Sequence, residues 1–345
     1  MRKALIRTLV ELAERDPRVV FMTADLGYLF VEPFAERFPD RFFNVGVAEQ
    51  NMVGMATGLA EGGFIPYVYS IATFAALRPY EFIRNGPVLQ NLAVRIVGVG
   101  GGFEYDYAGP THYALEDVGA MRMLPGLNVI APADSAQCRT ALLALHAAPG
   151  PAYFRLGKDD NFMVPGLDGR FEAGRIQVVR EGGDALFVAM GPSVALALRA
   201  ADLLAAKGLQ STVAIVASVS PAPIADLRDL MARFPFAVTV ENHYAVGGVG
   251  SLVCEVAAEH NLDCRVTRCG VTRSPAGPQG NQEFMNRLHG LSPEHLAQAA
   301  LDRIADTRRP GNRVQNDWAP AAEWGAPHTA VRKPVPAPET ARKVD

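Results

Sequence analysis

Cysteine is scarce: Cys138, Cys254, Cys264 and Cys269 are the only four in 345 residues. They form no CxxC pair and have no histidine at metal-ligand spacing, which argues for reduced thiols rather than a zinc or redox site. Long apolar runs are missing too, and none reaches the roughly 18 residues that span a bilayer. The stretch Met1-Arg2-Lys3-Ala4-Leu5-Ile6 leads straight into an amphipathic helical pattern rather than a signal peptide. Basic blocks are absent and the net charge is −3, so nothing draws the chain to nucleic acid or to an anionic membrane. Gly98-Val99-Gly100-Gly101-Gly102-Phe103 fails the GxGxxG pattern at its last position, and Gly247-Gly248-Val249-Gly250 lacks the geometry that precedes a dinucleotide loop. With 49% hydrophobic and 20% charged residues, the expectation is a soluble, cytoplasmic α/β protein.

What is present is a regular alternation of strand and helix patterns. Helix 3–15, strand 18–23, helix 32–38, strand 42–45, helix 48–62, strand 65–69, helix 73–85 and strand 93–99 lead into a glycine-rich loop. Helix 115–123, strand 127–131, a helix from 135 and strand 152–155 complete a first unit, residues 1–160. A Gly/Pro/Asp-rich linker at 157–174 precedes a second unit, 175–305, with strands at 184–190, 211–217, 236–240 and 264–268. Their helices fall at 193–206, 223–233 and 248–260. This alternation implies two doubly wound α/β domains, each a mostly parallel sheet covered on both faces. From Asp306 to the end the chain is polar, proline-punctuated and aperiodic, so a disordered tail is expected, with Trp318 and Trp324 as possible anchors on a partner.

Candidate chemistry gathers at the ends of strand patterns. Asn44-Val45-Gly46-Val47-Ala48-Glu49-Gln50-Asn51-Met52-Val53-Gly54 sets a carboxylate at the mouth of an apolar, glycine-studded helix. The helix dipole alone favours a Glu there, but it does not account for Gly46 or for the small-residue run that follows. Asp25 ends the first strand, at the edge of a parallel sheet where ligands gather; it would serve equally as a cap for Gly27-Tyr28. Phe74, Leu77 and Tyr80 follow the third strand, where such aromatics are usually core. His112 closes Gly109-Pro110-Thr111-His112, and an imidazole titrating near neutrality suits proton transfer. Arg155 ends the strand Tyr153-Phe154-Arg155, free to grip an anion or to pair with a surface carboxylate.

The order of these motifs resembles the C-terminal portion of the transketolase family, and is similar to 1-deoxyxylulose-5-phosphate synthase, over roughly residues 1–300. The resemblance implies a pyrimidine-binding domain followed by a transketolase C-terminal-like domain. It implies that Glu49 hydrogen-bonds the aminopyrimidine of thiamine diphosphate and favours the imino form that generates the ylid. Phe74, Tyr80, Leu77 and Asp25 would then line the cofactor pocket, His112 would assist proton transfer on the donor substrate, and Arg155 would bind substrate. Two departures stand out. An acidic residue usually precedes Gly-Pro-Thr-His, whereas this chain has Tyr107-Ala108 with Asp106 out of register. A substrate-phosphate histidine expected near Gly100 is also missing, in a loop that carries Tyr105, Tyr107 and Tyr113.

The family also needs Gly-Asp-Gly and a later Asn-Asn to hold the diphosphate and Mg²⁺, and neither string occurs in the 345 residues. The resemblance therefore implies the C-terminal subunit of a split enzyme. It would pair with an N-terminal transketolase subunit that carries the diphosphate-binding domain and the Mg²⁺ ligands, as an α₂β₂ assembly acting on sugars or sugar phosphates. The alternatives are a 2-oxoacid dehydrogenase β-type subunit and a non-catalytic scaffold that has lost the cofactor. Glu241-Asn242-His243 is expected to shape a subunit contact.

Overall fold

Strands buried on both faces are written as unbroken apolar runs, and this chain has several. A computed structural model of the chain describes residues 1–307. In it, β1 (Val19–Thr23), β2 (Phe42–Asn44), β3 (Ile65–Ile71), β4 (Arg95–Val99), β5 (Asn128–Ile130) and β6 (Ala152–Leu156) form a parallel sheet. All residues of β1, β3, β4 and β6 are buried. The second sheet contains β7 (Gln177–Arg180), β8 (Ala185–Ala189), β9 (Ser211–Ile215), β11 (Phe236–Tyr244) and β12 (Arg265–Val271). Its order is β12-β11-β8-β9-β7, parallel except for the β7–β9 pair.

The short strand β10 (Ser218–Ser220) breaks the expected segregation of the two sheets. It follows β9 in the chain yet pairs antiparallel with β5, giving the first sheet the order β10-β5-β6-β4-β3-β1-β2. The apolar run expected as a single strand over 211–217 thus ends at Ile215, and the chain crosses to the other sheet. One buried apolar cluster contains Val68, Ile96 and Val129 of the first sheet together with Leu186, Val188 and Ala214 of the second. The Glu241-Asn242-His243 string, expected at a subunit contact, is buried within this chain.

Two further expectations are corrected. The helix expected over 73–85 is divided into Ala72–Leu77 and Tyr80–Ile83: Arg78 keeps helical angles, but Pro79 has no N–H to give and itself leaves the helical conformation. Two helices, Gln282–Leu288 and Pro293–Thr307, add to the second unit, and the latter runs past 306, where the tail was expected to start. Residues from 308 on, Trp318 and Trp324 among them, lie outside the described residues. No helix among the described residues is long and apolar enough to cross a membrane. None of the four cysteines is in a disulfide, and burial pushes the Cys138 thiol up to about 12.

Candidate active site

In the first sheet, β1 lies between β2 and β3. The chain leaves β1 for β2 on one side, crosses back to β3 on the other, and continues outward to β4. The connections therefore diverge at the β1/β3 boundary, and open parallel sheets bind ligands in the crevice at such a point, beyond the carboxyl ends of the strands. Asp25 follows β1, Glu49 follows β2, Phe74 follows β3 and His112 lies in the loop after β4.

Glu49 opens the helix Glu49–Glu61 after a tight turn. Gly46 makes that turn at a φ of +73°, where a side chain would be strained, and its N–H donates to Asn44 Oδ1 at 3.1 Å. The Glu49 carboxylate is buried; it accepts a hydrogen bond from Ser70 Oγ at 3.2 Å and is paired with Arg78. Arg78 Nη1 donates to both carboxylate oxygens at 2.9 Å, and the Arg78 Cζ stands 3.6 Å from the centroid of the Phe74 ring. Phe74 in turn meets His112 edge-on, with ring centroids 5.1 Å apart. Glu49, Phe74 and His112 thus form one cluster with Arg78 between the first two.

The His112 loop is pinned at its base. Gly102 and Ala114 exchange backbone hydrogen bonds as an isolated antiparallel bridge, so the intervening residues form a closed excursion. Within it, His112 Nδ1 lies 2.9 Å from Thr111 Oγ1, and its Nε2 has no hydrogen-bond partner among the described residues. A ring fixed at one nitrogen and open at the other is suited to exchanging a proton with a ligand.

The remaining expected site residues take other positions. Asp25, itself at a φ of +56°, accepts hydrogen bonds from Tyr28 Oη at 2.6 Å and Asn44 Nδ2 at 2.9 Å, which hold its carboxyl below the ordinary range. It braces the turn that leads to Glu49. Tyr80 donates to the Ala120 carbonyl at 3.0 Å and packs on the main core, so it fastens helix Asp117–Arg122. Leu77 is exposed on the helix that carries Phe74.

Arg155 departs most from expectation. Its guanidinium is buried, with Nε on Asp117 Oδ2 at 2.8 Å and Nη2 on the carbonyls of Ala114 at 2.9 Å and Asn242 at 2.8 Å. An arginine committed in this way ties the two units together and is not a free anion grip. Asp106 also turns away from the cluster, with its Oδ1 accepting the Gln282 N–H at 2.6 Å.

The seam around Arg155 is rich in buried polar groups. Gly102, at a φ of +63°, leaves room for Asn242, which a Cβ would meet at 2.2 Å. His243 Nε2 accepts the Gly119 N–H at 3.2 Å, its Nδ1 donates to the Tyr244 carbonyl at 2.7 Å, and burial pushes the ring down to about 4. Glu241 accepts the N–H groups of Val249 and Gly250 at the start of helix Val249–Glu259, and burial raises it to about 7. Glu104 accepts the Lys158 N–H at 2.8 Å and is likewise pushed by burial to about 7.

Glu104 makes the stability of the fold depend on pH. Because its folded pKa lies above the unfolded value, its stabilising contribution is full below the unfolded pKa and is lost as pH rises through about 7. Glu104→Gln keeps an acceptor for Lys158 and removes the titration. Its melting temperature relative to wild type should climb between about pH 5 and pH 8. A difference constant across that window would show that Glu104 does not titrate there; Glu241 is common to both proteins and cancels.

Known proteins resemble most of the chain. Residues 1–162 match the transketolase pyrimidine-binding domain and residues 174–296 match the transketolase C-terminal domain. A putative transketolase C-terminal section from Methanocaldococcus jannaschii is 34% identical over 307 residues, covering 88% of this chain and 96% of that protein. The 6-deoxy-6-sulfo-D-fructose transketolase subunit of a Clostridium species is 36% identical over 302 residues, covering 87% and 93%. A solved structure described as a split gene transketolase, inactive β4 tetramer, superposes with a TM-score of 0.81 at 37% identity, covering 88% of this chain and 98% of that one.

Proposed function

Since this chain belongs to the transketolase family, we propose that it is the C-terminal subunit of a two-component, thiamine diphosphate-dependent enzyme that moves a two-carbon ketol unit from a ketose to an aldehyde. The observation that carries the proposal is the convergence of Glu49, Phe74 and His112 at the switch point of the first sheet. The aminopyrimidine half of the cofactor fits these residues: a planar, nitrogen-edged group, the Arg78 guanidinium, already sits on the Phe74 face and bonds Glu49. When bound, the cofactor supplies the carbanion chemistry that breaks and makes the carbon–carbon bond. Glu49 holds the pyrimidine edge and sets its protonation, Phe74 supplies a face for stacking, and His112 holds or yields a proton at Nε2.

The diphosphate is the other half of the requirement. No Gly-Asp-Gly and no Asn-Asn string occurs in these 345 residues. By analogy with relatives that this chain covers almost end to end, we assign the diphosphate and Mg²⁺ ligands to a partner polypeptide, in an α₂β₂ assembly with sites at the interfaces. The names of two matched relatives, a C-terminal section and a transketolase subunit, support that division, as does the inactive state in which the related β chain forms a tetramer.

Calorimetry and a coupled ketol-transfer assay test this on the chain alone and with the partner. Alone, it should bind thiamine diphosphate weakly and transfer nothing. With the partner, both binding and transfer should appear, and both should require Mg²⁺. Tight, Mg²⁺-dependent binding by this chain on its own would overturn the division of labour.

A further inference from the structure

Arg78 is the one member of the cluster left without a role. It follows the last turn of helix Ala72–Leu77 directly before Pro79, four residues after Phe74, so the two side chains share a helical face. Its guanidinium covers the Phe74 ring at 3.6 Å while Nη1 spans both Glu49 oxygens at 2.9 Å. The face of Phe74 and the oxygens of Glu49 are the two contacts an aminopyrimidine would use. The guanidinium and the pyrimidine cannot hold them together.

We infer that Arg78 is the resident occupant of the aminopyrimidine seat, filling it in the isolated chain and swinging out to admit a planar nitrogen heterocycle. The inference rests on Glu49 and Phe74 being the pyrimidine contacts proposed above. Physical chemistry gives the occupant a purpose. The Glu49 side chain is 2% exposed, and besides Arg78 its only side-chain hydrogen-bond partner among the described residues is Ser70. A buried carboxylate left without a counter-charge is costly, so an incoming group must replace what Arg78 provides. A ring that stacks but offers no nitrogen edge would strand Glu49, and the seat selects against it. Arg78 itself is 42% exposed, so its flexible stem can carry the charge into water with no change of the backbone.

The probe is thiamine, which lacks the diphosphate and so reports on the pyrimidine seat alone. Arg78→Met keeps the stem and removes the charge, and Arg78→Ala clears the seat if the methionine were to fill it. With a charge-assisted hydrogen bond and a cation–π contact no longer to be displaced, at least one variant of the full chain should bind thiamine about 10- to 100-fold more tightly than wild type. In the wild type, thiamine should speed phenylglyoxal modification of Arg78, followed by peptide mass. Affinity unchanged or weaker in both variants, undetectable binding throughout, or protection of Arg78 by thiamine would each overturn the inference. A reconstituted pair that transfers ketol units while thiamine binding is indifferent to Arg78 overturns it alone. A pair with no transfer, in which removing Arg78 still tightens thiamine, overturns the proposed reaction and upholds the occupant.

Discussion

In the reconstituted enzyme, Glu49→Gln is expected to slow exchange of the cofactor's C2 proton with solvent by at least about 10²-fold, the lower end of what a positioned acid–base group contributes. The amide has the shape of the acid and can still accept from Ser70 Oγ, which lies 3.2 Å from the carboxylate. It cannot donate or withdraw a proton at a ring nitrogen as a carboxyl does. The fold should be unaffected, because the charge that loses its partner is Arg78, 42% exposed and able to hydrate. Deuterium exchange at C2 measured by NMR after acid quench, beside a circular dichroism melt, separates the two effects. An exchange rate equal to wild type would remove Glu49 from the chemistry and leave it a structural partner of Arg78.

His112→Ala should lower turnover by about 10²–10⁴-fold with only a small change in cofactor affinity. The asymmetry follows from geometry. His112 touches the edge of Phe74, 5.1 Å between centroids, so its loss relaxes one wall of the pocket. Its open Nε2 has no structural bond to lose, so the large effect falls on proton transfer. His112→Gln sharpens the test, since it retains a hydrogen-bonding group and cannot shuttle a proton near neutral pH. Turnover within about threefold of wild type in both variants would make His112 a wall of the pocket and nothing more.

Much of this architecture is legible in the sequence, for a physical reason. The strands β1, β3, β4 and β8 are buried on both faces, so each reads as an apolar run that needs no partner to be recognised. Glu49 and Phe74 stand out because each begins or lies on the helix that directly follows a strand. What stays hidden depends on residues distant in sequence. The strand-end position of Arg155 shows in the sequence, but Asp117, 38 residues away, and the Asn242 carbonyl, 87 away, are what lock it in place. Tyr80 shows the spacing of a pocket aromatic while its hydroxyl serves Ala120. Arg78 carried a local signal that was available: one cation in an otherwise apolar turn, on the face of Phe74.

The placement of β10 has a bearing on how this protein could be taken apart. The linker at 157–174 looks like a natural cut, and the family boundaries, at 162 and 174, fall within it. Yet Ser218–Ser220, encoded beyond that cut, supplies the outermost strand of the first sheet. A fragment ending at the linker would carry β5 as a raw margin, its N–H and C=O groups offered to any extended chain nearby. The second fragment would carry three residues with nothing to pair with. The two halves are thus laced together by the chain path, and the unit expected to fold intact is residues 1–307 rather than either half.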